Sequence, residues 1–178
     1  MDTQQTPHQS RVEQFMTLAK QEVKTVPSVP SDAVVILRAK LLIEECIETL
    51  RSLGVSLQYK LGLTLAEDKK FLLEIDLSKL NYKKDVEYIK TAPTDIVGVA
   101  DGAADISVVN IGMLSAFGIK DKALLEEVDA NNLAKFGEGH SFREDGKLIK
   151  PPNHRPPNIV DVLKKQGYSP NHESDSKT

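Results

Sequence analysis

Two stretches of helical period carry acids where a helix of this composition should be apolar. The first runs from Val34 to Leu53 and contains Glu44-Glu45-Cys46-Ile47-Glu48. The second runs from Ile96 to Ile119 and contains Asp101-Gly102-Ala103-Ala104-Asp105. Apolar positions recurring at helical spacing must be covered by other helices, so these two segments set the architecture. Carboxylates on such helices demand a counter-charge, because burying an unpaired one costs several kcal/mol or more. The sequence places few cations beside them. A divalent metal is the simplest partner.

At about 100° per residue, with Glu44 at zero, Glu48 falls near 40° and Glu45 near 100°. Val34, Leu37 and Leu41 fall between those angles. The acids therefore extend an inward-facing apolar stripe, and the helix, apolar almost all round, reads as a central buried one. Asp101 lies about 40° from Asp105, on a stripe shared with Gly98, Gly112 and Ala116. Mid-helix Asp and Gly are poor helix formers, and small residues there let a helix or ligand come close. A solvated glutamate face paired to Lys40 or Arg51 is the ordinary alternative. Those cations lie roughly 80° and 60° from Glu48, which weakens it. A helix-dipole role suits Asp95 better than Asp101 and Asp105, which sit well inside the helix. The Glu45-x-x-Glu48 spacing brings two carboxylates within reach of one ion, as an oxygen-ligand site for Mg²⁺ or Mn²⁺ requires.

Helical spacing of Val12, Phe15, Met16, Ala19 and Val23, after a Ser10-x-x-Glu13 capping box, predicts a first helix over roughly 10–24. Pro27 and Pro30 break it. Further helices are expected at about 33–53, stopped by Gly54, and at about 95–117, closed by Gly118. Asp121 would cap another to about 136, and a short one would run from Asn158 to Gln166. Residues 55–92 read as an insertion or flap, where a helix capped at Thr64 competes with strand-like alternation over Phe71, Leu73, Ile75 and Leu77. From Gly137 the chain reads as loop, basic and proline-stiffened through Lys147, Lys150, His154 and Arg155. These elements predict an all-α, four-to-five-helix bundle with a C-terminal loop and short helix, one domain over 1–168. Residues 169–178 are expected to be a disordered tail.

The net charge of −3 gives no general attraction to nucleic acid or membrane. No apolar run reads as the roughly 20 residues of a membrane span. The N-terminus lacks the pattern of a signal peptide, and a cytoplasmic location is expected. Cys46 stands alone, which excludes an intrachain disulfide and a cysteine-rich zinc site; it reads as a small core residue. His8, His140, His154 and His172 fall in loops or tails, so the Glu-x-x-His pairs of a di-iron bundle are missing.

Arg38-x-x-x-Leu42-Ile43-Glu44-Glu45-x-x-Glu48 resembles the first signature of the all-α nucleoside triphosphate pyrophosphohydrolases. That superfamily includes MazG-like proteins, dimeric dUTPases and phosphoribosyl-ATP pyrophosphohydrolases. Ala100-Asp101-Gly102-Ala103-Ala104-Asp105-Ile106, followed by Gly112, resembles the second signature. Glu127-Val128-x-x-Asn131-Asn132-Leu133-x-Lys135-Phe136 and Gly146-Lys147-x-x-Lys150-x-Pro152-Asn153 are similar to the tail of the phosphoribosyl-ATP pyrophosphohydrolase-like branch. The resemblance covers roughly 10–160 apart from 55–92.

The resemblance implies Mg²⁺-dependent hydrolysis of a nucleoside triphosphate to monophosphate and pyrophosphate, with Mn²⁺ as an alternative ion and house-cleaning of non-standard nucleotides as a role. It makes Glu45, Glu48, Asp101 and Asp105 metal ligands and Glu44 the residue that positions or deprotonates water. It makes Arg38, Asn132, Lys135 and Lys150 contacts to phosphate or sugar, and the assembly a homodimer or homotetramer. The chain departs from the commoner Glu-x-x-Asp second motif: Gly102 stands where the Glu would be, and Asp101 precedes it. The alternative reading is a non-catalytic helical module that holds nucleotide or metal. A Nudix hydrolase is rejected, since its upstream Gly-x5-Glu and Arg-Glu pair are missing.

Overall fold

The computed structural model describes residues 4–59, 80–144 and 148–170. Helices dominate: α1 (Pro7–Leu18), α2 (Asp32–Ser52), the single turn α3 (Tyr82–Asp85), α4 (Ile96–Ala116), α5 (Asp121–Ala134) and α6 (Ile159–Lys165). Strands β1 (Val55–Tyr59) and β2 (Val86–Lys90) pair antiparallel, as do the two-residue strands β3 (Ser141–Phe142) and β4 (Leu148–Ile149). The chain divides into two compact units, 1–42 with 107–178, and 43–106. The conflict over 64–77, Lys147, and the tail from 171 with His172 lie outside the described residues.

The first unit is built on a small apolar core of Val12, Met16, Ile111 and Ala116, with Val23, Val34, Val108, Leu114 and Phe117 packed against it. Helix α1 starts and ends earlier than its periodicity predicts. Thr6 is the N-cap, accepting from Gln9 N at 3.2 Å, and Pro7 follows it in the first turn. Proline preset for that turn and a threonine cap outcompete the Ser10 capping box. Asp121 is likewise not the cap of α5, a place taken by Lys120. Its buried carboxylate accepts from Thr6 N at 2.7 Å and Thr6 Oγ1 at 2.5 Å, which ties the start of α1 to the start of α5. Gln9 completes the link through Asp121 N, Ser115 Oγ and Ile119 O. The buried side chains of Gln9, Ser115 and Asp121 thereby find partners, as burial requires.

The second unit contains the end of α2, the β1–β2 hairpin and the start of α4. Gly54 ends α2 at φ +69°, where an added Cβ would strike the Ala92 carbonyl. Lys90 Nζ donates to Leu53 O, Ala92 O and Thr94 Oγ1, which satisfies the Leu53 carbonyl left at the helix end and ties the loop after β2 to it. Neither the β1–β2 hairpin inside the expected flap nor β3–β4 in the expected loop was legible in the residue pattern. These strands are short, with registers held by few pairs, too little for a period-2 signal.

Close helix approach explains the small residues of α4. A Cβ at Gly98 would overlap Ser52 Oγ, and one at Gly102 would overlap Thr49 Oγ1 and lie 3.1 Å from Thr49 Cβ. In the first unit, a Cβ at Gly112 would come within 3.0 Å of Arg38 Nη1.

Two expectations need correction. Helix α2 is not buried all round: Arg38 is its buried residue, while Ile43 is 57% exposed. Its apolar surface is left open in the single chain, so composition alone mistakes it for a core helix. Helix α4 is long and apolar enough to cross a membrane by length and composition, against the expectation of no such run. Asp101 and Asp105 in its middle would be costly in a bilayer, and its glycines receive Thr49 and Ser52 instead.

Candidate functional site

The two acidic clusters meet in the second unit. Glu44, Glu48, Asp101 and Asp105 are exposed and Glu45 is half-buried, so the acids are not an inward stripe of the single chain. The angular reading placed them correctly beside the apolar residues, but those residues are themselves partly open. Partial burial pushes the Glu45 carboxyl above its usual range, and the charges of Asp105, Glu48, Glu44 and Asp101 add to the effect. The largest charge contribution comes from Asp105, on the other helix. Glu45 is thus the point at which the fields of α2 and α4 overlap.

Gly102 explains how the second cluster is arranged. Thr49, whose hydroxyl donates to Glu45 O at 2.8 Å, occupies the space a side chain at 102 would need. The acid of α4 can therefore stand at 101, one residue earlier, and still share a face with Asp105.

These residues fit a divalent cation on chemical grounds. Five carboxylates offer oxygen donors only, the set that hard ions such as Mg²⁺ and Mn²⁺ take. None is in a salt bridge with another described residue, so their mutual repulsion is uncompensated within the described chain. Among the described residues, no three His, Cys, Asp or Glu side chains stand close enough together to hold a metal ion. Exposed glutamates at these positions can change rotamer at little cost.

The expected substrate contacts separate into two places within the first unit. Asn132 and Lys135 pair directly, Asn132 Oδ1 accepting from Lys135 Nζ at 2.5 Å, at the C-terminal end of α5. Lys150 is exposed on the loop after β4. Both lysines act on one group: His154 is held below the usual histidine range by burial first, then by Lys150 and Lys135. Arg38 lies elsewhere. Its side chain is enclosed near Gly112 and Met16, with Nη2 donating to Gln21 Oε1 at 2.9 Å and Nε without a partner among the described residues.

The loop carrying these charges is pinned to α5 by two residues of the quoted tail motif to which the sequence assigned no role of their own. Asn131 Nδ2 donates to Arg155 O, and Glu127 Oε1 accepts from Asn158 N, both at 2.7 Å. Their i, i+4 spacing on one face was the available signal. Between loop and helix lies a recess of about 430 Å³. Cys46 is half-buried and takes no part in the site.

A sequence model of the phosphoribosyl-ATP pyrophosphohydrolase family matches residues 12–132. The match includes both acidic clusters and Asn132, and it ends before Lys135, Lys150 and His154. A search of curated proteins finds no match. The helical architecture is consistent with the all-α fold of the MazG-like superfamily to which that family belongs.

Proposed function

This chain belongs to the phosphoribosyl-ATP pyrophosphohydrolase family and is a hydrolase acting on a phosphoanhydride; from that premise we propose that it cleaves nucleoside triphosphates to monophosphate and pyrophosphate, in a house-cleaning role. The observation that carries this reading is the family match over residues 12–132, which spans the acids Glu44, Glu45 and Glu48 of α2 and Asp101 and Asp105 of α4. Carboxylates so placed repel a polyphosphate unless a cation intervenes.

Glu45, Glu48, Asp101 and Asp105 would hold Mg²⁺, with Mn²⁺ able to replace it. The ion, when bound, supplies charge neutralisation and Lewis acidity at the phosphates. Glu44, exposed beside this set, positions the attacking water and takes its proton. The water oxygen forms a bond to the α-phosphorus as the α–β bridging bond breaks, and pyrophosphate leaves with the bonding pair. By the family resemblance Asn132, Lys135 and Lys150 would contact phosphate or sugar, and positioning of that kind is where most phosphoryl-transfer catalysis originates. By the same resemblance Arg38 would also contact phosphate or sugar.

A second copy of the chain would cover the apolar surface left open, giving a homodimer or homotetramer. Support comes from Ile43, Ile96 and Val97, which are 57%, 80% and 75% exposed. Patches of large apolar residues on a soluble chain mark interaction surfaces.

Pyrophosphate release from a panel of standard and damaged nucleoside triphosphates and phosphoribosyl-ATP, with and without Mg²⁺, tests the proposal. Mg²⁺-dependent turnover of at least one is expected. Metal-dependent binding of nucleotides that stay intact for hours would instead make the protein a binding module.

A further inference from the structure

Within the second unit, the end of α2 meets the segment that leads into α4. Asp95 N, just before α4, donates to the carbonyl of Ser52, the last residue of α2, at 2.8 Å. Thr94 Oγ1 donates to Leu53 O at 3.2 Å, and Thr91 N and Ala92 N both donate to Gly54 O. One cation reaches across this joint. Lys90, the last residue of β2, donates from Nζ to Leu53 O on the α2 side and to Ala92 O and Thr94 Oγ1 on the α4 side. Its backbone is fixed in turn by the hairpin, where Lys90 pairs with Val55 of β1. An ammonium carries three donors on one atom, and here each of them meets a neutral oxygen.

Beyond the joint, the two helices touch in antiparallel order. Ser52 lies against Gly98, and Thr49, one turn further from the joint, lies against Gly102. The same order brings Glu48 level with Asp101 and Glu45 level with Asp105, about one to two turns from the joint. A small change of angle there is magnified at the acids.

We propose that Lys90 is a positioning residue for the divalent-ion site, fixing the spacing of the α2 acids from the α4 acids by gripping both sides of the joint. The inference rests on the proposed function for the presence of an ion, and it concerns a hairpin residue outside both acidic motifs.

The carboxylates on α2 and α4 repel one another, which loads the joint toward opening. Contact at Gly98 and Gly102 stops the helices from coming closer. Hydrogen bonds at the joint stop them from parting, and Lys90 gathers both sides onto a single atom. Glu44, Glu48, Asp101 and Asp105 are exposed and can turn between rotamers. Helix spacing therefore decides whether they can close on one ion. Arginine would keep the charge of Lys90, but its planar fork does not converge on three oxygens from one point.

The test is Mn²⁺ binding by the full-length protein, read from the electron paramagnetic resonance signal of the free ion. Lys90→Met, folded by circular dichroism, is expected to bind about tenfold more weakly than wild type, the lower end of what losing a supporting contact around a metal site costs. Lys90→Arg is expected to resemble Lys90→Met. Thr94→Val removes the hydroxyl shared by Lys90 and Leu53 O, and should weaken binding by a smaller factor. It carries the test if Lys90→Met does not fold. Gln166→Ala removes hydrogen bonds to Lys120 N and O in the first unit, and should lose stability in urea with Mn²⁺ affinity unchanged. Wild-type affinity in folded Lys90→Met overturns the inference, or in Thr94→Val where that variant stands in for it. An equal loss in Gln166→Ala, or full recovery in Lys90→Arg, also overturns it. Wild type and Lys90→Met binding Mn²⁺ alike would sink this inference alone. Wild type that binds no divalent ion would sink the proposed function. If Lys90→Met loses affinity in a protein that hydrolyses no nucleotide, the proposed function falls and the positioning role stands.

Discussion

Thr49 fills the space that any side chain at position 102 would have to enter. A Cβ built on Gly102 overlaps Thr49 Oγ1 and lies 3.1 Å from Thr49 Cβ and 3.2 Å from its Cα. Helices α2 and α4 approach this closely because one of them has no side chain at the contact. The same contact keeps glutamate out of position 102 and leaves Asp101 as the acid that partners Asp105.

Gly102→Ala is expected to lose about 1–3 kcal/mol through overpacking, outweighing the roughly 1 kcal/mol that alanine gains in helix propensity. Adding Thr49→Ala, which removes the nearest atom, should recover part of the loss. Urea denaturation of both variants measures it, and a Gly102→Ala protein more stable than wild type would refute the packing account. Gly102→Glu restores the commoner motif but should be the least stable of the series.

The raised Glu45 carboxyl makes a signed prediction. Its folded pKa lies above the unfolded value, so ionising it opposes folding. That opposition is absent below the unfolded carboxyl range, about pH 4, and grows as pH rises through the folded value. Glu45→Gln should therefore raise Tm near neutral pH and leave it unchanged at about pH 4 or below. Saturating Mg²⁺ should reverse the neutral-pH order by stabilising wild type more than the variant. Thermal unfolding with and without metal reads both effects.

Arg38 is a buried cation whose one described hydrogen-bond acceptor is the neutral Gln21. Burial lowers its pKa, which is the signature of a charge held without a carboxylate. Arg38→Met, similar in bulk and uncharged, should be as stable as wild type or more so. Arg38→Ala should lose roughly 2–5 kcal/mol through the cavity it leaves. If Arg38 contacts phosphate or sugar, Arg38→Met will also lower kcat/KM. A Met variant both unstable and fully active would contradict this assignment.

Asn131 is a positioning residue through its bond to Arg155 O. Asn131→Ala should cost stability only about 1 kcal/mol, the usual net value of one hydrogen bond. It should raise KM several-fold by loosening the loop that carries Lys150 and His154, with a smaller effect on kcat. Steady-state kinetics beside a melting curve separates the two.

The helices were legible because α2, α4, α5 and α6 are marked by apolar periodicity and by Gly54, Gly118 and Gly167, all at positive φ. The start of α1 was not, since Thr6-Pro7 and Ser10-Glu13 offer competing caps and only the tie to Asp121 decides between them. That the acids stand on two long helices, α2 and α4, was legible from the helical period around them. Their exposure was not, because an apolar face looks the same in sequence whether a helix of the same chain covers it or leaves it open. Nor could periodicity reveal that Arg38 turns inward, or that Asn131 and Glu127 hold the loop of Arg155 and Asn158, which depends on how that loop folds back on α5.

The central claim is that the carboxylates around Glu45 hold a divalent ion for phosphoanhydride hydrolysis. Its most direct test is paired calorimetry and product analysis on wild type and Glu48→Gln. Wild type should bind Mg²⁺ and form monophosphate and pyrophosphate in equal amounts. Glu48→Gln, folded to the same extent, should lose most of that affinity and turn over at least about 100-fold more slowly, the scale on which a lost charge-stabilising group acts. A Glu48→Gln protein that binds Mg²⁺ and releases pyrophosphate as wild type does would contradict the account.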